Sequence, residues 1–599
     1  MDFFLIPSAQ MPYNWVMPPK KWSVLTSTEQ ETVVRMAAKK NYNMVDMWGN
    51  RFWQPPPPEM EKPAIAAKKE ETAREKEDRR EREKQEEWVQ RDKRCQREMA
   101  KSPVFFYPVS VENVSRFHMM RSPGMIYGLE FPWTEEGLEE FGPEWLTQAF
   151  HAAGTLDADN AVTKIIIDKS IKVTGGNNGA KFLFEVMYQK ERPGLHTKLF
   201  AKIPFPFSGP TKSDRLSSSV YKQGMDLTEI NANRLLETSF PAKTPKYYYG
   251  DISNETTNFI LITERVAFSE AGGKWKNRPL RPFEIEGPYD KCKDFQLRGP
   301  AKEYYTLLFQ MSGKIAGLCK AGKMGSPAII AASFMNPRAD SRDQDAWGVN
   351  PHAASGEDPP TLKRKLQAAL DFMQLAKKVF PAYVTDEQFC EKFTATLMKA
   401  SAYKNEIDHW KHSDSNYVSL GHQNLNSDNA YFWRDDDGKL DCGLFDWGGL
   451  GLSCLGHKLW WIVNCADFDQ VQVNLSSYIE AFITAYKESG GPRLDPKVLE
   501  MQMLLTALDN TLFMVSAVPN CHKMCPLKEW QTIKDRHDKR ISGNIDGKST
   551  LRTTLHVLHH GCRIIHEMGG DSVLEKWIKD CWIKQYNMAE KTDAMINGL

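Results

Sequence analysis

At 599 residues, with 78 Lys plus Arg against 77 Asp plus Glu and a formal net charge of +1, the chain is long enough for about two to four domains. That balance supplies no overall field for nucleic acid or an anionic membrane, so neither partner is expected. No run reads as a membrane span, and the start Met1-Asp2-Phe3-Phe4-Leu5-Ile6-Pro7 lacks the basic opening and sustained apolar stretch of a secretory signal; with eleven scattered cysteines suited to reduced thiols, a cytoplasmic protein is expected.

Residues 1–58 read as an extension ending in Pro55-Pro56-Pro57-Pro58, a short polyproline II rod that serves either as a spacer or as a ligand for an aromatic-lined groove. Residues 59–102 are charge-dense and free of glycine. Glu70 with Arg74, Glu75 with Arg79 and Asp78 with Arg82 stand four apart, acid first, which predicts a single solvated helix. Apolar residues do not recur at heptad positions, so no coiled coil is expected; the segment reads as a partly disordered arm or as a helix that docks a protein partner.

Residues 103–268 begin with a lead-in whose aromatic anchors are Phe105, Phe106, Tyr107, Phe131 and Trp133. A helix is predicted over 142–150 behind Pro143, then a strand over Val162–Ile167. Strands over 171–174 and 181–186 flank the turn Gly175-Gly176-Asn177-Asn178-Gly179, and Lys198–Ile203 is another strand. A helix over 226–236 carries Glu229, and Phe259–Glu264 reads as a buried strand. From 269 to 599 the pattern is mainly helical, over 303–319, 362–380, 387–403, 478–488, 498–515 and 550–568, interrupted by strands only in 418–446. There is no internal repeat.

Glycines at 175, 176 and 179 let backbone amides approach phosphate oxygens, although most such turns are plain hairpins. Lys202 lies within an apolar strand, where an ammonium needs a partner; Glu229 on the next helix supplies one, unless Lys202 belongs to an edge strand and faces water. Asn429 offers an amide oxygen and Asp446 a carboxylate, the hard ligands Mg²⁺ prefers, and the Asp437-Gly438 turn makes the hairpin that brings them together. A zinc site at Cys521, Cys525, His556, His559, His560 and Cys562 is not expected, because the cysteine spacing is unusual for zinc and His556 with His560 reads equally as one polar face of a helix.

The order of these elements, together with Pro143-Glu144-Trp145-Leu146, Ala201-Lys202, Pro245-Lys246-Tyr247-Tyr248, Phe259–Glu264 with Arg265, His422, Asp428-Asn429 and Phe445-Asp446-Trp447, resembles the aminoglycoside phosphotransferase and choline kinase-like superfamily, in its ecdysteroid kinase-like (CHK kinase-like) branch, from about residue 142 to the end. The resemblance implies an α+β, two-lobed protein kinase-like fold with a small antiparallel sheet lobe and a mainly helical lobe. It also implies ATP and Mg²⁺ as cofactors, and transfer of the γ-phosphate to a hydroxyl on a small molecule. Gly175, Gly176, Gly179, Lys202 and Glu229 would then hold the phosphates, Thr263 and Glu264 the adenine side, Asn429 and Asp446 the metal, and His422 and Asn424 would form the catalytic loop.

This chain departs from the pattern where the chemistry sits. Asn424 stands where the family has the aspartate that takes or orients the acceptor proton, Gln423 replaces a glycine, and Gly456-His457-Lys458-Leu459 occupies the place of a downstream acid. General-base help is worth roughly 10²–10⁴-fold, whereas loose phosphoryl transfer relies mostly on positioning and electrostatics. Two readings follow: a phosphotransferase of reduced activity, or a catalytically inactive pseudokinase that binds nucleotide or acts as a scaffold.

Overall fold

Strand-forming residues between 162 and 264 have one economical way to bury their apolar sides, which is to pair antiparallel and cover the sheet with a helix. The computed structural model describes residues 3–4, 44–46, 51–53, 73–168, 179–209, 214–216, 224–269, 278–334, 356–543 and 550–598. Strands β1 (Val162–Ile167), β2 (Ala180–Tyr188), β3 (Lys198–Ile203), β4 (Tyr247–Ile252) and β5 (Phe259–Glu264) form one antiparallel sheet in the order β1-β2-β3-β5-β4. Its core gathers Phe182, Phe184, Leu199, Tyr248, Ile260 and Ile262 with Trp145, Leu146 and Phe150 of the helix Glu135–Ala153. The predicted strand 171–174, Gly175, Gly176 and the run Pro55 to Pro58 lie outside the described residues.

The helix Glu135–Ala153 starts before the position expected from Pro143, because Thr134 caps it by accepting from the Gly137 amide and two acids follow. Gly142, at φ 73°, then breaks the helical path and Pro143 restarts it. Of the aromatic anchors, Phe131 is buried, but Phe105 and Tyr107 are exposed.

The second lobe is helical, apart from two ribbons. Ala301–Lys320 and Phe468–Glu488 pack closely enough that a Cβ on Gly313 would lie 2.5 Å from the Phe482 carbonyl oxygen, and one on Gly317 2.4 Å from that of Tyr486. Strand β6 (Val418–Gly421) pairs antiparallel with β9 (Gly451–Cys454), and β7 (Ala430–Arg434) with β8 (Leu440–Leu444). Strand β9 extends the strand region past the 418–446 expected from sequence; it is short and glycine-flanked, so it carries no alternation of its own. This is the two-lobed α+β arrangement expected above, a small antiparallel sheet lobe and a mainly helical lobe. Between the lobes runs the helix Met225–Leu236, with Leu227 and Ile230 in the sheet core and Ala232, Leu235 and Leu236 in the helical core.

Among the described helices, Pro496–Val515 is long and apolar enough to cross a membrane, yet Leu499, Met503, Leu504, Leu505 and Leu508 are buried in the helical core. All eleven cysteines are free. His556 and His560 are buried rather than on a polar face: Nε2–H of His556 donates to the Ala466 carbonyl (2.7 Å) and Nδ1–H of His560 to that of Asn464 (3.1 Å).

Residues 1–80 form a compact unit of their own, with a three-stranded antiparallel ribbon of Phe3–Phe4, Met44–Asp46 and Arg51–Trp53. The charged segment is helical over Ala73–Met99, and from residue 81 it belongs to the larger unit. Its last turns are not solvated. Arg94, Cys95, Glu98 and Met99 are buried, Arg94 pairs with Glu237 at 2.6 Å and Glu98 with Arg234 at 2.9 Å. The helix docks by charge in place of an apolar stripe, which is why the absence of a heptad gave no sign of it.

Candidate active site

Lys202 is buried in β3, between Lys181 on β2 and Leu261 on β5 in the sheet register. Its side chain is almost wholly buried, so the ammonium is stable only with a countercharge. Glu229, on the helix that follows the strand, supplies one through a direct hydrogen bond, and Asp446 Oδ1 lies 3.2 Å from Nζ. Burial opposes the charge on Lys202, but Glu229 and Asp446 outweigh it and raise its pKa. For Asp446 burial also opposes the charge, and Lys202 with Lys181 overcomes it, holding the carboxyl well below the usual carboxylate range.

The loop between β6 and β7 is organised by its own polar groups. The Asn424 carbonyl accepts from the Asn426 amide (2.8 Å) and from Asn429 Nδ2 (2.7 Å), which directs Asn429 Oδ1 the other way as an acceptor. Ala430 pairs with Leu444 in the β7–β8 register, and the Phe445 amide donates to the Asn429 carbonyl (3.2 Å), so Asn429 and Asp446 sit side by side at the end of the hairpin. Asp446 is left-handed at φ 63° and ψ 56°, a conformation that costs on the order of 1–3 kcal/mol and turns its side chain out of the strand path. Trp447 then stacks on Phe240 with ring centroids 4.0 Å apart, tying the Asp446 turn to the chain just beyond the Glu229 helix.

His422 is buried with both nitrogens engaged: Nε2–H donates to the Phe445 carbonyl (3.0 Å) and Nδ1 accepts from the Asn424 amide (3.2 Å). Burial is the main reason its pKa falls to about 4, so the ring is neutral and holds the loop to the hairpin. The Asn424 side chain is half-buried and makes no hydrogen bond to another described residue. Gln423 lies over Gly449, where a Cβ would meet its Oε1 at 2.1 Å, and Lys458 donates to the Gly449 carbonyl at 3.3 Å.

Lys202, Glu229, Asp446, Asn429, Asn424 and His422 thus converge. Gly179, at φ 113°, lies where a Cβ would be 2.4 Å from the Ile203 carbonyl oxygen, so its own position is required by the close approach of β2 to β3. Thr263 and Glu264 stand apart, at the end of β5 opposite Phe200 and Leu199, about 7 and about 10 Å along the strand from the position facing Lys202. There Thr263 donates to the Glu264 carbonyl, and Glu264 accepts from the Lys246 amide.

Lys181 and Lys291 of the cleft escape sequence reasoning, and Asp428 enters it only through the Asp428-Asn429 match. Lys181 shares a sheet face with Lys202; burial and then the Lys202 charge lower its pKa to about 8. Lys291, from the segment before the helix Ala301–Lys320, approaches Asp428 Oδ2 at 3.6 Å. Asp428 Oδ1 is buried without a hydrogen-bond partner among the described residues, and burial raises this carboxyl despite Lys291. Strand alternation could have flagged Lys181; no local signal marks the pair from 291 and 428. Among the described residues no group of three or more His, Cys, Asp or Glu side chains is placed to hold a metal. Asn429 with Asp446 is instead a two-ligand oxygen set, of the kind Mg²⁺ completes with water and phosphate.

No protein-family model matches the chain, and no curated protein is detectably similar in sequence. Among solved structures, an aminoglycoside 2'-phosphotransferase-IIIa in its GDP complex is 14% identical over 69% of this chain and 98% of that one, with a TM-score of 0.27. A spectinomycin phosphotransferase in complex with ADP and spectinomycin is 10% identical over 68% and 94%, with a TM-score of 0.31. A choline/ethanolamine kinase family protein from Mesorhizobium loti is 11% identical over 66% and 92%, with a TM-score of 0.26. Likeness at this level assigns no activity.

Proposed function

We propose that the chain is a cytoplasmic, ATP- and Mg²⁺-dependent phosphotransferase related to the aminoglycoside phosphotransferase and choline kinase-like superfamily, in its ecdysteroid kinase-like branch, acting slowly on a hydroxyl of a small molecule. The observation that carries this reading is the Lys202 ammonium held between Glu229 and Asp446 beside Asn429. In this reading residues 103–268 are a lead-in plus sheet lobe and 269–599 the helical lobe.

Lys202, fixed by Glu229, would face the α- and β-phosphates, and Asn429 Oδ1 with the Asp446 carboxylate would hold Mg²⁺, which would supply charge neutralisation for the phosphate oxygens. His422 keeps the loop against the hairpin. Asn424 presents an amide oxygen that orients the acceptor hydroxyl as its oxygen bonds to the γ-phosphorus and the bond to the β-phosphate oxygen breaks. The acceptor proton leaves to water, because an amide cannot take it.

A second reading, a pseudokinase that binds nucleotide without transferring phosphate, is favoured by Asn424 together with Lys458 at the place of the downstream acid. Titration of the purified protein with ATP, with and without Mg²⁺, followed by ATP turnover over hours, separates the two. Magnesium-dependent binding with turnover supports the transferase. Binding without turnover supports the pseudokinase, and absence of binding sinks both. In the transferase, Asn424→Asp is expected to raise turnover by roughly 10²-fold or more.

A further inference from the structure

We propose that Lys291 is a third phosphate-holding cation of this site, contacting the γ-phosphoryl group of the nucleotide from the side opposite Lys202. This rests on the nucleotide reading above.

The segment that carries Lys291 is fixed before any ligand arrives. The Phe283 and Glu286 amides donate to the carbonyls of Arg434 and Phe432 on β7, both at 2.7 Å. The buried Glu286 accepts from the hydroxyls of Tyr289 (2.5 Å) and Tyr304 (2.6 Å). These contacts anchor the chain two residues before Lys291 to the strand that begins one residue after Asn429. The ammonium is therefore delivered to the metal end of the cleft.

Its protein partner there is poorly matched. At 3.6 Å the contact with Asp428 is longer than a hydrogen bond, and the second Asp428 oxygen is buried without a hydrogen-bond partner among the described residues. A pair built only to hold the loop would close this gap and use both oxygens. Lys291 keeps 24% of its side-chain surface open, enough for its ammonium to turn to a ligand.

A cation here has a chemical use. Charge that develops on the transferred phosphoryl oxygens is best met by groups already in place. With no carboxylate at position 424, such stabilisation carries a larger share of the reaction.

Calorimetric titration of the full chain with MgATP and MgADP provides the test, comparing the unaltered protein with Lys291→Gln, Lys291→Arg and Asp428→Asn. Loss of a charge-assisted contact to the terminal phosphate should weaken MgATP roughly 10- to 100-fold in Lys291→Gln and leave MgADP within about twofold, with Lys291→Arg close to normal. Equal losses for both nucleotides, no loss for either, or the same ATP-selective loss in Asp428→Asn would overturn the proposal in favour of a structural ion pair. If the unaltered chain binds neither nucleotide, the nucleotide reading fails and Lys291 falls with it; if it binds both and Lys291→Gln is normal, only Lys291 falls.

Discussion

Two ion-pair clusters occupy opposite ends of the helix Met225–Leu236, and they are built for different ends. At one end Glu229 joins Lys202 and Asp446, and the Asp446 side chain keeps 38% of its surface open to the cleft. At the other, Glu237 takes Arg94 at 2.6 Å, Arg91 at 3.0 Å and the Tyr247 amide at 2.7 Å, while Arg234 takes Glu98; none of Arg94, Glu98, Arg234 or Glu237 is more than 4% exposed. The closed cluster saturates both oxygens of Glu237 and locks the charged N-terminal helix to the body. The open cluster leaves the Asp446 carboxylate and the nearby Lys291 side chain partly exposed, which suits a charged ligand. The difference teaches that burial of an ion pair alone does not mark a functional site; incomplete satisfaction beside a cleft does.

The closed cluster should be the more expensive to break. Glu237→Ala leaves Arg94 and Arg91 without their countercharge and is expected to cost about 3–5 kcal/mol, read from urea unfolding midpoints. A loss under about 1 kcal/mol would show that the arm is held by other contacts.

Acid should attack the two ends unequally. Burial tends to raise Glu237, but Arg94 and Arg91 overcome it and lower its pKa, so the closed cluster withstands mild acid. His422 beside the open cluster is held neutral down to about pH 4, whereas the unfolded chain protonates near 6.5. Its folded pKa is depressed, so its contribution is present above about pH 6.5 and is lost as pH falls through 4, on the order of 3 kcal/mol in all. Asp251 and Asp294, raised by burial to about 6, act in the opposite sense, their contribution shrinking as pH rises through 6. The measurement is therefore the difference between His422→Gln and the unaltered chain at pH 7 and pH 4.5; a difference that does not change with pH would remove His422 as the acid-sensitive group.

The smallest effect concerns Lys181. Without ligand it is charged below about pH 8, and a polyphosphate favours the charged form. Binding should therefore take up protons, and MgATP affinity should be flat below pH 8 and fall by up to about tenfold per unit above it. Lys181→Met should abolish that slope. Proton uptake is read by calorimetry in buffers of different ionisation enthalpy, and a slope that survives the substitution assigns it to another group.

The readable parts of the molecule are those whose signal is local. Lys198–Ile203 announces itself by its apolar run between prolines and turns and Phe259–Glu264 by its apolar, β-branched composition, and the Asp437-Gly438 turn fixes the hairpin that sets Asn429 beside Asp446. Helices such as Pro496–Val515 and Thr550–Glu567 begin or end within a few residues of their hydrophobic period. What could not be read depends on partners far along the chain. Arg94 meets Glu237 across 143 residues, and the charged helix looks self-sufficient because its own acid–base spacing already satisfies a local rule. His556 and His560 look polar until the carbonyls of Ala466 and Asn464 are seen to hold them inside the core.

The sequence by itself determined many of the strands and helices, the apolar strand that carries Lys202, and an amide at Asn424 where the resemblance leads one to expect a carboxylate. Those are properties of composition and period, which act over one or two turns. Only the tertiary structure decided that Lys202 lies between Glu229 and Asp446, that Lys181 and Lys291 share the same cleft, and that the N-terminal arm is pinned to the helix of Glu229. The reason is physical: a charge finds its partner by distance in space, and a buried charge is stable only where the whole fold has brought that partner within reach.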